Sequence, residues 1–273
     1  MEKLIITVAP TGSVPGKRDT PHVPLTPDEV VADCLECVAA GVSICHLHAR
    51  DESGAASTRY DLFEAMVAGI TARSPAIVQI STGGRAGSGL EERAERLGLR
   101  PEMASLTTGS VNFPEGVYLN PRDLVEALAE RMLRLGIKPE MEVFDASMVQ
   151  GAADLVAQGL ALPPLHFNFV LGLRGALPAS TKNLLHLAEL LPTGSTWTVS
   201  GIGRAQLPMA AHAILMGGHV RVGLEDNIYY AKGVLARNVE LVRRVVRLAE
   251  ELGRPVATPE EAREILGLAA RAG

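Results

Sequence analysis

Cysteine is scarce: 273 residues contain three. That excludes the disulfide framework on which small secreted domains depend. Cys34 and Cys37 do form a C-x-x-C. They fall inside a helix-periodic segment with no second pair or nearby ligand, which argues against a redox or structural-metal centre. Neither sign of charge dominates, with 26 Lys and Arg against 31 Asp and Glu and a net charge of −5. Nothing therefore draws the chain to nucleic acid or to an acidic membrane surface. No apolar run approaches the roughly 18–20 residues of a membrane span. The opening MEKLIITVAP reads as a short strand rather than a signal peptide, so a cytoplasmic protein is expected. Aromatics are also few, at 4%. No low-complexity tract or linker interrupts the chain, and residues 1–273 are expected to form one domain.

What is present is a rhythm. Eight β-like runs, KLIITVA, SICHLHA, AIVQIST, MASLTT, KPEMEVFD, LHFNFVLG, TWTVSGI and HVRVGLED, alternate with segments of helical periodicity such as DEVVADCLECVAA, PRDLVEALAERMLRLG and STKNLLHLAELL. Thr26 with Pro27 and Glu29, and Thr258 with Pro259 and Glu261, mark helix starts by a capping threonine, a proline at the first position and an acid at the third. Strand then helix, eight times, in a chain of this length predicts a single α/β (β/α)8 TIM barrel. STGGRAGSG and GLRGALPAS read as loops after the third and sixth strands.

Alternation assigns the inward positions, and they are unusually polar: His46 and His48, Gln79 and Ser81, Ser105 and Thr107, Glu140 and Glu142, His166 and Asn168, Thr198 and Ser200, Arg221 and Glu225. Burying so many polar groups is costly unless they surround a solvated cavity, and the C-terminal mouth is where such barrels carry their active sites. His46 and His48, at i and i+2, share a face and suit one metal ion, with their rings expected to stack along one edge. The same spacing also fits a hydrogen-bonded core pair. Glu225, expected to end the eighth strand facing inward, supplies the carboxylate of a two-histidine, one-carboxylate catalytic zinc set. Glu142 competes as ligand, or supports a histidine N–H. Such a metal would polarise a ketone oxygen or activate water. Arg221 suits a substrate carboxylate, or equally a buried pair with Asp226 or a glutamate. Asp226 is the candidate base. Ser81 with Thr82, Gly83 and Gly84 offers a hydroxyl and N–H groups to an oxyanion, or is a plain strand-end turn. Gly-x-Gly stretches in GIGRAQ and RAGSG, and Lys17, Arg18, Arg85, Arg174 and Lys182 in mouth loops, are weaker pointers to a phosphorylated cofactor, each matched by a solvated-surface reading. Trp197 is expected to pack outward.

The set TVAPTG, HLHARDESG, QISTGG, PEMASL, NFPEGVYLN, PEMEVFD, FVLGLRG, GIGR and GGHVRVGLEDN, running through to GRPVATPEEAREIL, resembles the β-keto acid cleavage enzyme family over nearly the whole chain. The resemblance implies a zinc-dependent barrel that takes a β-keto acid and acetyl-CoA to acetoacetate and a new CoA ester, in a homotetramer. It puts the zinc ligands on His46, His48 and Glu225 and matches Ser81, Arg221 and Asp226 to the catalytic set. The Arg221–Asp226 pair would abstract a proton, the carbanion would add to the thioester, CoA would move within the adduct, and a retro-Claisen step would break the C–C bond. A metal-dependent hydrolase or lyase of a small keto acid is the alternative. Two positions depart from the family pattern. Val14 stands where members handling an amine-bearing keto acid carry glutamate, which implies a substrate without that cation. Ser105 replaces a threonine but keeps its hydroxyl, so the resemblance places it in the catalytic set as well, and Thr107 replaces an asparagine; together they alter the pocket wall.

Overall fold

The computed structural model describes residues 2–84, 88–113 and 116–270. Eight parallel strands close a barrel: β1 (Ile6–Val8), β2 (Ile44–Leu47), β3 (Ile77–Ile80), β4 (Met103–Thr107), β5 (Lys138–Val143), β6 (His166–Leu171), β7 (Thr196–Gly201) and β8 (His219–Val222). Each pairs with its neighbours in the sequence, and β1 closes the ring by pairing with both β8 and β2. All eight expected strands are present. Helices α1 (Pro27–Ala39), α2 (Tyr60–Thr71), α3 (Leu90–Ala94), α4 (Arg122–Leu135), α5 (Ser147–Ala157), α6 (Thr181–Glu189), α7 (Gln206–Met216) and α8 (Asn238–Glu251) follow the strands in turn, and α9 (Pro259–Leu266) comes last. Thr26 and Thr258 cap α1 and α9 as read from their sequences, with the reciprocal Glu29 and Glu261 bonds in place. No helix among the described residues is long and apolar enough to cross a membrane.

The outer face of the strands is apolar and packs under the helices; Trp197 lies there, stacked on Phe169 at 5.4 Å. Cys34, Cys37 and Cys45 are buried and free. A hydrogen bond with Cys45, together with burial, pushes the Cys34 thiol up, and burial does the same to Cys37, so neither is a ready thiolate.

Inside, the N-terminal end of the barrel is divided. Under β1 to β4 the floor is Ile5, Ile44, Ile77 and Met103, sealed by Ala262 and Leu266 of α9. Each fully buried aliphatic side chain of this kind contributes about 1.5–3 kcal/mol. Under β5 to β8 the floor is polar. His166 lies 3.3 Å from buried Glu140 and bonds to Thr196 and Thr198, and His219 Nδ1 accepts the Ile5 N–H at 3.1 Å.

That last bond keeps His219 neutral, and burial, aided by His166 and Arg254, drives its pKa well below 6.5. Below pH 6.5 the unfolded chain therefore takes up a proton that the folded chain refuses. Stability from this group rises with pH in that window and is lost as pH falls, by up to about 1.4 kcal/mol per pH unit. Urea unfolding at pH 7.5 and 5.5 should show the decline, and His219→Gln, which keeps an acceptor for Ile5, should flatten it. Equal slopes for the two proteins would count against neutral burial of His219.

Candidate active site at the barrel mouth

Two elements end earlier than their patterns suggest. Strand β2 stops at Leu47, and His48 stands between it and a short hairpin of Ala49–Arg50 with Ala56–Ser57. Strand β8 stops at Val222, because Gly223 turns the chain at φ +148°. A Cβ there would lie 2.1 Å from the Ala9 carbonyl, so only glycine fits. Glu225 is thus on the turn after the strand rather than on it, and its N–H donates to Ala9 O at 3.2 Å. It still points into the mouth. A Cβ on Gly12 would lie 2.4 Å from Glu225 Cγ, so the glycine of TVAPTG leaves room for that side chain.

His46 is fully buried, and its Nδ1 lies 2.6 Å from Gln79 Oε1. A carboxamide oxygen only accepts, so Nδ1 carries the hydrogen and the Nε2 lone pair is free. That Nε2 is 3.9 Å from Glu225 Oε2, and neither atom has a hydrogen-bond partner. His48 Nε2 is 3.5 Å from Glu225 Oε1. One ligand atom from each of the three residues lies within 4.8 Å of the others. Two such atoms, each about 2.1 Å from one ion, sit roughly 3.4 Å apart in a tetrahedral set. The buried orphan atoms and the two-nitrogen, one-carboxylate donor set fit a divalent metal. The imidazole rings are tilted by 59° at 5.1 Å, not stacked as expected. Gln79 turns the first ring, and the strand ends before the second. Gln79, not Glu142, supports the histidine.

The electrostatics point the same way. Glu140, Glu142, Glu225 and Asp226 all face one guanidinium, Arg221. Arg221 holds Asp226 through Nε at 2.9 Å and Nη2 at 2.8 Å, holds Glu225 at 2.5 Å, and leaves Nη1 without a partner. Both readings of Arg221 therefore keep support: it is paired, yet it has a donor to spare. Burial would raise Glu225, but Arg221, His48 and His46 outweigh it and hold the carboxyl well below its ordinary range. Burial pushes Asp226 up, helped by the Glu225 charge and opposed by Arg221. Burial likewise raises Glu142, and burial with the Arg221 charge lowers His46 to about 4.

Ser81 is buried just past β3, and its Oγ accepts the Gly83 N–H at 3.0 Å. The Thr82 N–H goes to Ser105 Oγ at 3.4 Å, and Thr82 Oγ1 donates to Ser105 O at 2.6 Å. Two of the three N–H groups expected for an oxyanion are thus already used, which leaves that role to the Ser81 hydroxyl and the Gly84 N–H. Ser105 braces the turn from below. Gly84 admits Arg93, whose Cγ would lie 3.0 Å from a Cβ there. Thr107 Oγ1 donates to Glu142 Oε2 at 2.7 Å. Val14, on the β1–α1 loop, is 85% exposed and does not line a closed pocket. Lys17 pairs with Glu29, and Arg18, Arg174 and Lys182 are exposed; Arg85 and Gly87 lie outside the described residues.

Arg93 and Arg96 were not among the expected site residues. Both are buried behind the STGG turn, where Arg96 binds the carbonyls of Ser81 (2.7 Å) and Gly83 (2.6 Å) and Arg93 that of Thr82 (2.7 Å). The only signal is their i, i+3 spacing in ERAERLGLR, which puts both on one helix face. Arg50 does similar service nearby, donating to Pro15 O at 2.8 Å and so pinning the loop that carries Val14.

Fold and site together define a barrel enzyme whose mouth offers a His–His–Glu cluster with the spacing to hold a metal ion, beside a buried arginine–aspartate pair. The chain belongs to the β-keto acid cleavage enzyme family, whose model matches residues 3–268. It is 47% identical over 271 residues to a 3-keto-5-aminohexanoate cleavage enzyme of Acetoanaerobium sticklandii, covering 98% of this chain and 99% of that protein. It is also 47% identical over 269 residues to a 3-oxoadipate:acetyl-CoA acetyltransferase of Cupriavidus necator, covering 97% of this chain and 94% of that one. Among solved structures, apo ObcA superposes with a TM-score of 0.77 at 24% identity over 92% of this chain, which shows the shared fold; this chain spans 66% of the ObcA chain.

Proposed function

We propose that the enzyme converts a β-keto acid, R–CO–CH2–COO−, and acetyl-CoA to R–CO–S-CoA and acetoacetate, as one catalytic domain. The observation that carries this reading is the juxtaposition of two buried, unpartnered ligand atoms, His46 Nε2 and Glu225 Oε2, with the Arg221–Asp226 pair. His46, His48 and Glu225 would hold zinc, which when bound polarises the substrate ketone and makes its neighbouring C–H acidic. Arg221 Nη1 takes the substrate carboxylate. Asp226, raised by burial and oriented by two bonds from Arg221, accepts the proton from the carbon between ketone and carboxylate. The carbanion bonds to the thioester carbonyl carbon, and the Ser81 hydroxyl donates to the oxygen on which charge develops. The CoA sulfur then passes to the former ketone carbon. The bond between that carbon and the nucleophilic carbon breaks, the carbanion left on acetoacetate takes back the proton held by Asp226, and the acyl group departs on CoA. Thr82, Gly83, Gly84, Ser105, Thr107 and Glu142 shape the pocket wall. We further read the protein as a cytoplasmic homotetramer, as the resemblance to its family implies.

Val14 stands where amine-handling members of the family carry glutamate and offers a cation no counter-charge, so we read the substrate as one without a cationic amine at its far end. A panel of β-keto acids incubated with and without acetyl-CoA tests this. Consumption that requires acetyl-CoA and releases acetoacetate is expected, with 3-oxoadipate-like acids outpacing 3-keto-5-aminohexanoate. Turnover without any CoA ester would point to hydrolysis or lyase chemistry, and best turnover of the amine-bearing acid would defeat the Val14 reading.

A further inference from the structure

A hairpin between β4 and α4, Val111–Phe113 paired with Gly116–Tyr118, brings a tyrosine hydroxyl to the mouth. Tyr118 Oη lies 3.1 Å from Arg93 Nη2 and 3.4 Å from Thr107 Oγ1. Its ring is held flat against Phe113, with centroids 5.7 Å apart. A Cβ on Gly83 would lie 3.5 Å from this hydroxyl and 4.0 Å from His48 Cε1, so Oη borders the same cavity as the ligand histidine.

The donor directions follow from the chemistry. A guanidinium only donates, so Tyr118 accepts from Arg93. Thr107 has one hydrogen, and the carboxylate oxygen of Glu142 at 2.7 Å is its stronger acceptor. Tyr118 therefore gives its own hydrogen to Thr107. The other carboxylate oxygen, Glu142 Oε1, stands 3.9 Å from Arg221 Nη1, beyond hydrogen-bond reach of a donor that is fully buried and unpaired. Left free, a glutamate this close would close onto the guanidinium, because a charge-assisted bond is worth more than the one to Thr107.

We infer that Tyr118 is a positioning residue. Through Thr107 it restrains Glu142, and so keeps Arg221 Nη1 available for the carboxylate of the keto acid. Arg93, which also binds Thr82 O, anchors this restraint and the STGG turn with one side chain. The inference rests on the proposed role of Arg221 toward the substrate.

Tyr118→Phe removes Oη and keeps the ring. It should raise KM for the β-keto acid about tenfold while leaving KM for acetyl-CoA unchanged, with no more midpoint loss than the broken hydrogen bonds account for. Thr107→Val should do the same, the double variant should be no worse than Thr107→Val alone, and Thr107→Ser should retain the wild-type KM. A loosened fold would instead move both KM values and the midpoint together. Multiplying KM effects, or a wild-type KM in Tyr118→Phe, would overturn the restraint. The thermal midpoints of the four proteins of the cycle, read without substrate, report the Tyr118–Thr107 bond separately. Coupling there with unmoved KM values overturns the positioning role and leaves the proposed function standing. A wild-type protein inert toward every keto acid defeats that function, and this role with it.

Discussion

His46→Ala should yield a folded protein that has lost its bound metal and at least about a thousandfold in kcat/KM. The scale follows from a comparison: removing a group that merely orients a metal ligand typically costs ~10–100-fold in affinity or activity, and the ligand itself must cost more. His46 is the most buried of the three candidate ligands, and the only one whose free nitrogen is set by a hydrogen bond on the other side of the ring. Without it, one imidazole and one carboxylate remain. Glu225, already bonded to Arg221 at 2.5 Å, then has less reason to turn toward the cavity. Metal content by atomic emission and steady-state kinetics on the same preparation check the expectation. A fully active, metal-free variant would refute the ligand assignment, and a variant that keeps stoichiometric metal would move the site elsewhere.

Much of this arrangement is legible in the sequence, for reasons that are local. Alternation in SICHLHA and QISTGG gives the inward faces directly, and the threonine–proline–glutamate starts of α1 and α9 satisfy their own helix ends within a few residues. What escaped depends on groups far apart in the chain. The pattern HVRVGLED continues past Val222 without a break, yet the backbone turns at Gly223 because the Ala9 carbonyl lies against it. Arg93 and Arg96 look like solvated helix charges, since arginine is seldom buried without partners. Their partners are main-chain carbonyls of the STGG turn, which no side-chain pattern records. The pairing of Gln79 with His46 needs the β2–β3 register, which sets the two directly opposite. Val14 shows the limit from the other side. Its identity bears on the charge of the substrate, but its place on a loop with the side chain in solvent could not be read from the motif.

Arg221→Ala should be the most damaging single change to stability at the mouth. Its side chain is 3% exposed and serves Asp226 twice and Glu225 once, with Glu142 at 3.9 Å. Breaking a buried pair by removing one partner costs about 3–5 kcal/mol, because the remaining charges are stranded. For a chain of this size that is a fall of roughly 6–20 °C in Tm, at about 2–4 °C per kcal/mol. Burial already raises Glu142 and Asp226 from their ordinary values, with Arg221 opposing the rise in both. Without that opposition both rise further. The folded variant then binds more protons than the unfolded chain at pH values above the ordinary carboxylate range. Its stability must fall as pH increases there, so the Tm deficit should be smaller at pH 5 than at pH 8. The same shift explains the expected kinetics. An Asp226 raised further is less often free to take up a proton, and losing a positioned base costs roughly 10²–10⁴-fold in rate. Arg221→Lys separates the two effects. It restores a positive charge, and hence much of the Tm, but a single ammonium cannot hold Asp226 by two parallel bonds and still present a donor to the substrate. Its kcat should stay close to that of the alanine variant. If lysine restores activity along with stability, Arg221 acts as a point charge and the two-bond grip on Asp226 has no part in the chemistry.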